Sequence, residues 1–272
     1  MTECNSCPTK DQCDSKENCM IENNPHNKVK RVIAVMSGKG GVGKSTVTTL
    51  IAKSLNLKGY SVGILDSDLT GPSIPRLMKA KHEKVTGTDK GITPIKSKEN
   101  ISLMSLNFLM EEEESPAIWR GPMISATVKQ FWTDVYWGEL DYLIIDMPPG
   151  TSDVALTVMQ SMPINGMIMV STPHDMVSMI VAKSINMAKS MNIPIVGVIE
   201  NMSYILCPDC NKEINIFKDN DLDDYLNRMD VELLGKLPMS QEIANMNNEL
   251  FDKKVSDSMG DISNKIINFT RI

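Results

Sequence analysis

The chain has 272 residues, of which 42% are hydrophobic and 23% charged, enough to bury one sizeable core and too apolar for an intrinsically disordered protein. Its formal net charge of −6 argues against a nucleic-acid backbone as the main partner, because phosphate contacts need an excess of Lys and Arg on one face. The opening MTECNSC has no basic segment leading into an apolar run, and no stretch of about 18 apolar residues follows, so neither a secretory leader nor membrane contact is predicted and a cytoplasmic protein is expected.

Residues 1–28 are polar, carry four of the six cysteines and end around Asn23-Asn24-Pro25; they read as an N-terminal arm, leaving 29–272 as one domain. From Val32 the run VIAVM predicts a strand. A glycine-rich loop follows, and then Val47, Leu50, Ile51 and Leu55 recur with helical spacing up to Lys58. Tyr60 to Leu65 predicts a second strand ending in Asp66 and Asp68, and Tyr142 to Ile145 another ending in Asp146. Glu111 to Glu114 reads as a solvated loop. Gly166 to Val170 and Ile195 to Ile199 read as strands flanking a helix from about Val177 to Met191. This alternation predicts an α/β fold: a doubly wound, mostly parallel sheet with helices on both faces and ligands at the strands' carboxyl ends. The 21 methionines read as adaptable core filler, His26 as a solvated linker residue and His174 as structural; Trp119, Trp132 and Trp137 read as packing beside the 29–272 domain or at an interface.

Gly38-Lys39-Gly40-Gly41-Val42-Gly43-Lys44-Ser45, followed by Thr46, matches the phosphate-loop pattern G-x-x-x-x-G-K-[ST] in its required place between strand and helix. Glycines let the backbone curl so that its N–H groups face phosphates, and the helix N-terminus adds partial positive charge. Lys44 is expected to reach the β- and γ-phosphates of ATP and Ser45 to offer its hydroxyl to Mg²⁺. Carboxylates at adjacent strand ends suit the same ion, which prefers an octahedral oxygen shell.

The run SGKGGVGKST, with its additional Lys39, resembles the deviant Walker A loop of the ATPase class that includes MinD, ParA, the nitrogenase iron protein and the Mrp/ApbC-type iron–sulfur carriers. The segments LDSDLTGPSIPRLM, WRGPM, WGELDYLIIDMPPGTSD and ENMSYILCPDC, spread from about Val32 to Pro238, look like the Mrp/ApbC-type P-loop NTPases in particular; the MinD and ParA likeness does not include the CPDC segment. The resemblance implies an ATP-dependent homodimer in which Lys39 reaches the partner's nucleotide. It implies that Asp146 is the Walker B acid supporting Mg²⁺, that Asp68 orients the attacking water, and that Asp66 supports the loop or the metal's water shell. Asn201 would recognise adenine, and Gly150 would bring a backbone N–H to the γ-phosphate; Ser152 departs from the usual PPGTGD run.

Cytoplasmic thiols stay reduced, so CxxC spacings read as metal ligands or redox thiols rather than disulfides. Cys207-Pro-Asp-Cys210 supplies two thiolates, whereas a [4Fe–4S] cluster or a structural zinc wants four; a two-fold dimer bringing two pairs together meets that count. Spacing alone leaves iron–sulfur and zinc both open, and a redox pair lacks its strand–CxxC–helix context. Cys4, Cys7, Cys13 and Cys19 supply four thiolates from one chain, for a second iron–sulfur cluster or for zinc, and are similar in part to the cysteine arm of the family's eukaryotic scaffold branch. The expected function is a slow ATPase that carries a [4Fe–4S] cluster to apo iron–sulfur proteins. Its rivals are an electron-transfer ATPase with a permanent bridging cluster, an ATPase with structural zinc, and a MinD/ParA-type positioning ATPase. The last would want a basic amphipathic tail, yet from Asp261 onward the only cations are Lys265 and Arg271.

Overall fold

Aliphatic residues dominate β1 (Lys28–Ser37), which is buried on both faces from Val32 onward, as a parallel strand covered by two helical layers requires. It is followed by α1 (Lys44–Leu57), β2 (Val62–Asp66), α2 (Ile74–Leu77), β3 (Thr86–Thr88), β4 (Gly91–Thr93), β5 (Ile95–Lys96), β6 (Ser102–Met104), α3 (Gly121–Thr133), β7 (Glu139–Asp146), α4 (Asp153–Ser161), β8 (Gly166–Ser171), α5 (Val177–Ser190), β9 (Ile195–Glu200), β10 (Ile205–Leu206), β11 (Glu213–Ile214), β12 (Leu233–Lys236), α6 (Gln241–Ala244) and α7 (Lys253–Asn268). This computed structural model describes residues 21–68, 71, 73–80, 83–110, 121–173, 177–210, 212–215, 226–244, 246 and 253–269. Cys4, Cys7, Cys13, Cys19, Glu111 to Glu114, Trp119 and His174 lie outside the described residues.

One 8-stranded sheet runs in the order β12-β9-β8-β1-β7-β2-β6-β5 and is parallel except where β5 meets β6. From β1 the chain passes outward to β2 and β6, returns to β7, and then crosses to β8 on the other side of β1. That reversal opens a crevice at the carboxyl end of β1. Alternating side chains of β1 serve two cores: Val32, Ala34 and Met36 pack with α3, α4 and α5, and Ile33 and Val35 pack with α1 and α7. Met36, Met104, Met147, Met167 and Met169 are wholly buried filler. Trp132 and Trp137 also lie in the core, donating to the carbonyls of Ile21 and Phe131 at 3.2 Å each.

The apolar side of α7, formed by Val255, Met259, Ile262 and Ile266, belongs to the same core cluster as α1. Ser54 of α1 donates to Met259 O and lies 3.1 Å from Ser263 Oγ. That face is therefore spent inside the fold. Among the described residues no helix is long and apolar enough to cross a membrane.

Residues 21–27, the end of the expected arm, are fastened to the body. Ile21 N donates to Ser161 O at 3.1 Å, Asn24 Nδ2 to Lys90 O at 2.8 Å and Asn27 Nδ2 to Val135 O at 2.9 Å.

At the opposite edge of the sheet from the crevice, Asp141 ties three elements together. Its Oδ1 accepts from Lys30 Nζ at 2.7 Å, and its Oδ2 accepts from Ser61 N at 2.8 Å and Ser61 Oγ at 2.9 Å. The Lys30 hydrogen bond, then those from Ser61, hold its carboxyl down to about 2. A depressed folded value gives stability that is present above the unfolded carboxylate range and lost as pH falls from about 4 towards 2. Asp141→Asn is expected to cost about 1–2 kcal/mol at pH 7, the Lys30 share being screened by solvent. Urea unfolding at pH 7 and pH 2 checks it: the difference from the parent shrinks at the lower pH.

Candidate nucleotide site and cysteine pair

The loop from Gly38 to Gly43 joins the carboxyl end of β1 to α1. Gly41 at φ 82° and Gly43 at φ 79° hold the left-handed conformations that curl it. At Gly43 glycine is demanded twice, because an added Cβ would lie 2.3 Å from Asn201 Nδ2. No side chain caps α1 and no acid stands in its first turn, so its leading N–H groups and its dipole are available to an anion. Lys39 is exposed on this loop and Thr46 partly buried in the first turn.

Lys44 is buried, with Nζ 2.9 Å from Asp146 Oδ1 and 3.5 Å from Asp68 Oδ2. Ser45 Oγ donates to Asp146 Oδ2 at 2.6 Å and Thr48 Oγ1 to Asp146 Oδ1 at 2.9 Å. The register of β2 on β7 sets Asp66 directly beside Asp146. Asp66 is fully buried; its Oδ2 accepts from Ser105 Oγ at 3.1 Å and its Oδ1 from Asp68 N at 3.2 Å. Burial, reinforced by the charge of Asp146, pushes the Asp66 carboxyl well above the usual range against the pull of Lys44. The fold thus gathers Lys44, Ser45, Asp66, Asp68 and Asp146 around one point. Thr48 and Ser105 join them without a sequence signal of their own.

Gly150, at φ 72°, donates its N–H to Ser37 O at 2.8 Å. The γ-phosphate contact expected of it requires that hydrogen bond to be exchanged. Ser152 caps α4 by accepting from Ala155 N at 3.3 Å. Asn201 closes the crevice from β9: its Nδ2 donates to Val42 O at 2.9 Å and its backbone N to Ser171 O at 2.7 Å. Asn201 Oδ1 and Ser171 Oγ are the buried side-chain atoms without a hydrogen-bond partner among the described residues, so Asn201 keeps an acceptor for a ligand amino group.

Six residues beyond Asn201, the small β10–β11 hairpin carries the cysteine pair. Ile205 faces Ile214 across it, and Cys207 N donates to Lys212 O at 3.0 Å. Cys207 is partly buried and Cys210 exposed. The backbone N–H groups of Asp209 and Cys210, followed by the Cys210 thiol, hydrogen-bond towards Cys207 sulfur and hold its thiol below the ordinary cysteine value. A loop that favours thiolate is suited to a metal centre. Among the described residues no three His, Cys, Asp or Glu side chains are gathered as a metal site. Ile205, Ile214 and Met239 are exposed.

The chain is 42% identical to an iron-sulfur cluster carrier protein of Methanocaldococcus jannaschii over 276 residues, covering 97% of this chain and 95% of that one. It is 45% identical to a cytosolic Fe-S cluster assembly factor, a Nubp2 homolog of Drosophila grimshawi, over 221 residues, 79% of this chain and 84% of the other. A solved nucleotide-binding protein of Archaeoglobus fulgidus in complex with ADP superposes with a TM-score of 0.71 at 37% identity, covering 87% and 89% of the two chains. Residues 28–270 match the family described as ParA, NUBPL iron-transfer P-loop NTPase. With the phosphate loop, the strand-end carboxylates and the parallel sheet already in place, the chain belongs to this family of ParA-type, NUBPL iron-transfer P-loop NTPases.

Proposed function

We propose that this protein is an ATP-hydrolysing carrier that holds a [4Fe–4S] cluster as cargo between the Cys207/Cys210 pairs of two chains and delivers it to apo iron–sulfur proteins in the cytoplasm. One observation supports the reading: the phosphate-loop motif and the cysteine pair both follow carboxyl ends of strands, with Asn201, which donates to Val42 O of the loop, only six residues from Cys207. The names of the archaeal and insect relatives and the ADP held by the Archaeoglobus protein support it.

In this reading the loop N–H groups and Lys44 bind the β- and γ-phosphates, Lys44 exchanging its carboxylate partners for phosphate oxygens. The hydroxyl of Ser45 and the carboxylate of Asp146 form an all-oxygen donor set that fits Mg²⁺ and would hold it. When bound, that ion neutralises charge on the phosphates. Asp68 orients the attacking water, Lys39 reaches the partner chain's nucleotide, and Asn201 reads the adenine with its open Oδ1. Asp66 fixes the Asp68 segment. Hydrolysis shifts the dimer between arrangements that hold the cysteine pairs together or loosen them.

A carrier is favoured over a permanent electron donor because the relatives are named as a cluster carrier and a cluster assembly factor. A membrane-positioning ATPase is disfavoured because the apolar face of α7 is already buried. The test is reactivation of an apo [4Fe–4S] enzyme by anaerobically loaded protein. Transfer is expected from the parent, to change with nucleotide, and to disappear in Cys207→Ala/Cys210→Ala. Loaded protein that turns over ATP repeatedly without losing its cluster to the acceptor would contradict the reading.

A further inference from the structure

We propose that Ser105 is a positioning residue for ATP hydrolysis, acting through Asp66 on Asp68. The inference rests on the hydrolysis reading above. Ser105 follows β6 in extended conformation and is wholly buried. It reaches the site because β6 pairs in parallel with β2, Met104 opposite Leu65, so that both chains leave the sheet side by side at its carboxyl edge.

Its hydroxyl donates to Asp66 Oδ2 at 3.1 Å, and the other oxygen of the same carboxyl receives the Asp68 backbone N–H at 3.2 Å. Asp66 is therefore a two-ended clasp. One end is fixed by Ser105, and the other sets where the chain turns at Asp68, whose own carboxylate lies 3.5 Å from Lys44 Nζ. Without the Ser105 hydroxyl, Asp66 loses one of the two hydrogen bonds that fix its side-chain torsions. The Asp68 amide then loses its fixed acceptor, and the carboxylate beyond it loses its aim. Ser105 is wholly buried and its hydroxyl is directed at Asp66, so its effect belongs on turnover and not on nucleotide affinity.

Ser105→Ala is expected to lower kcat about tenfold, as loss of alignment does, while the Mg-ATP dissociation constant stays within about twofold. Ser105→Cys keeps the volume but offers only a weak S–H donor; it carries the same test if Ser105→Ala is loosened, and its kcat falls between the two. In an Asp66→Asn background, Ser105→Ala should add little further loss, because the two act as one unit. An unchanged kcat, a parallel fall of kcat, affinity and Tm, or full additivity with Asp66→Asn would each overturn the proposal. Parent protein that binds Mg-ATP without hydrolysing it would overturn the hydrolysis reading, and this inference with it.

Discussion

Lys44→Ala lowers ATP turnover by about a thousandfold or more, the scale on which phosphate-stabilising cations act in phosphoryl transfer. The same change destabilises the nucleotide-free protein. The Lys44 ammonium is buried between Asp146 and Asp68, with Asp66 fully buried alongside. Breaking a buried pair by removing one partner costs about 3–5 kcal/mol, because a charge is left uncompensated. Protonation of Asp66 relieves part of that cost. Its folded value is already raised by burial, and loss of Lys44 raises it further. A raised folded carboxyl binds more protons than the unfolded chain, so the stability it retains at low pH is lost as pH rises. The deficit of Lys44→Ala against the parent is therefore larger at pH 8 than at pH 5.5. Turnover assays and urea midpoints at the two pH values measure both effects; equal deficits at both would contradict the buried-carboxylate account.

Gly43→Ala weakens nucleotide binding by about 10- to 100-fold, through two local faults. Its φ of 79° is costly for any residue with a Cβ, and that Cβ would lie 2.3 Å from Asn201 Nδ2. Asn201 is buried against Val42 O and cannot swing freely into solvent. Either the loop shifts or the Asn201 side chain leaves. Gly43→Ala/Asn201→Ala removes the clash while keeping the strained torsion, so it regains part of the affinity and prefers ATP over GTP less strongly than the parent. Calorimetric titration with both nucleotides follows this; a double variant no better than Gly43→Ala alone would place the damage in the torsion.

Much of this site was legible as short strings. Gly38 to Ser45 is a contiguous motif, and Asp66 and Asp146 end short apolar runs that read as buried strands, with Asp68 just beyond the first. Ser105 and Thr48 were not legible for a physical reason. Ser105 enters through the pairing of β6 with β2, a strand of three residues with no period of its own. Thr48 enters because one helical turn places it over Asp146. The C-terminal helix is largely polar, and its apolar stripe of Val255, Met259, Ile262 and Ile266 shows its purpose only against α1 and β12. Gly150 reads in sequence as bringing a backbone N–H to the γ-phosphate, but its partner, Ser37 O, depends on how β1 and the turn after β7 converge. The hairpin's cysteine spacing reads directly from sequence. That Asp209 and Cys210 turn their N–H groups towards Cys207 does not.

The most direct test of the central claim is Mössbauer spectroscopy with iron and zinc quantification on anaerobically isolated protein, comparing the parent with Cys207→Ala/Cys210→Ala. A [4Fe–4S] signal is expected in the parent and falls sharply in the variant, because the variant removes all four thiolates of a cluster bridging two chains. Zinc without iron in the parent, or a cluster signal undiminished in the variant, would contradict a bridging cargo at this pair.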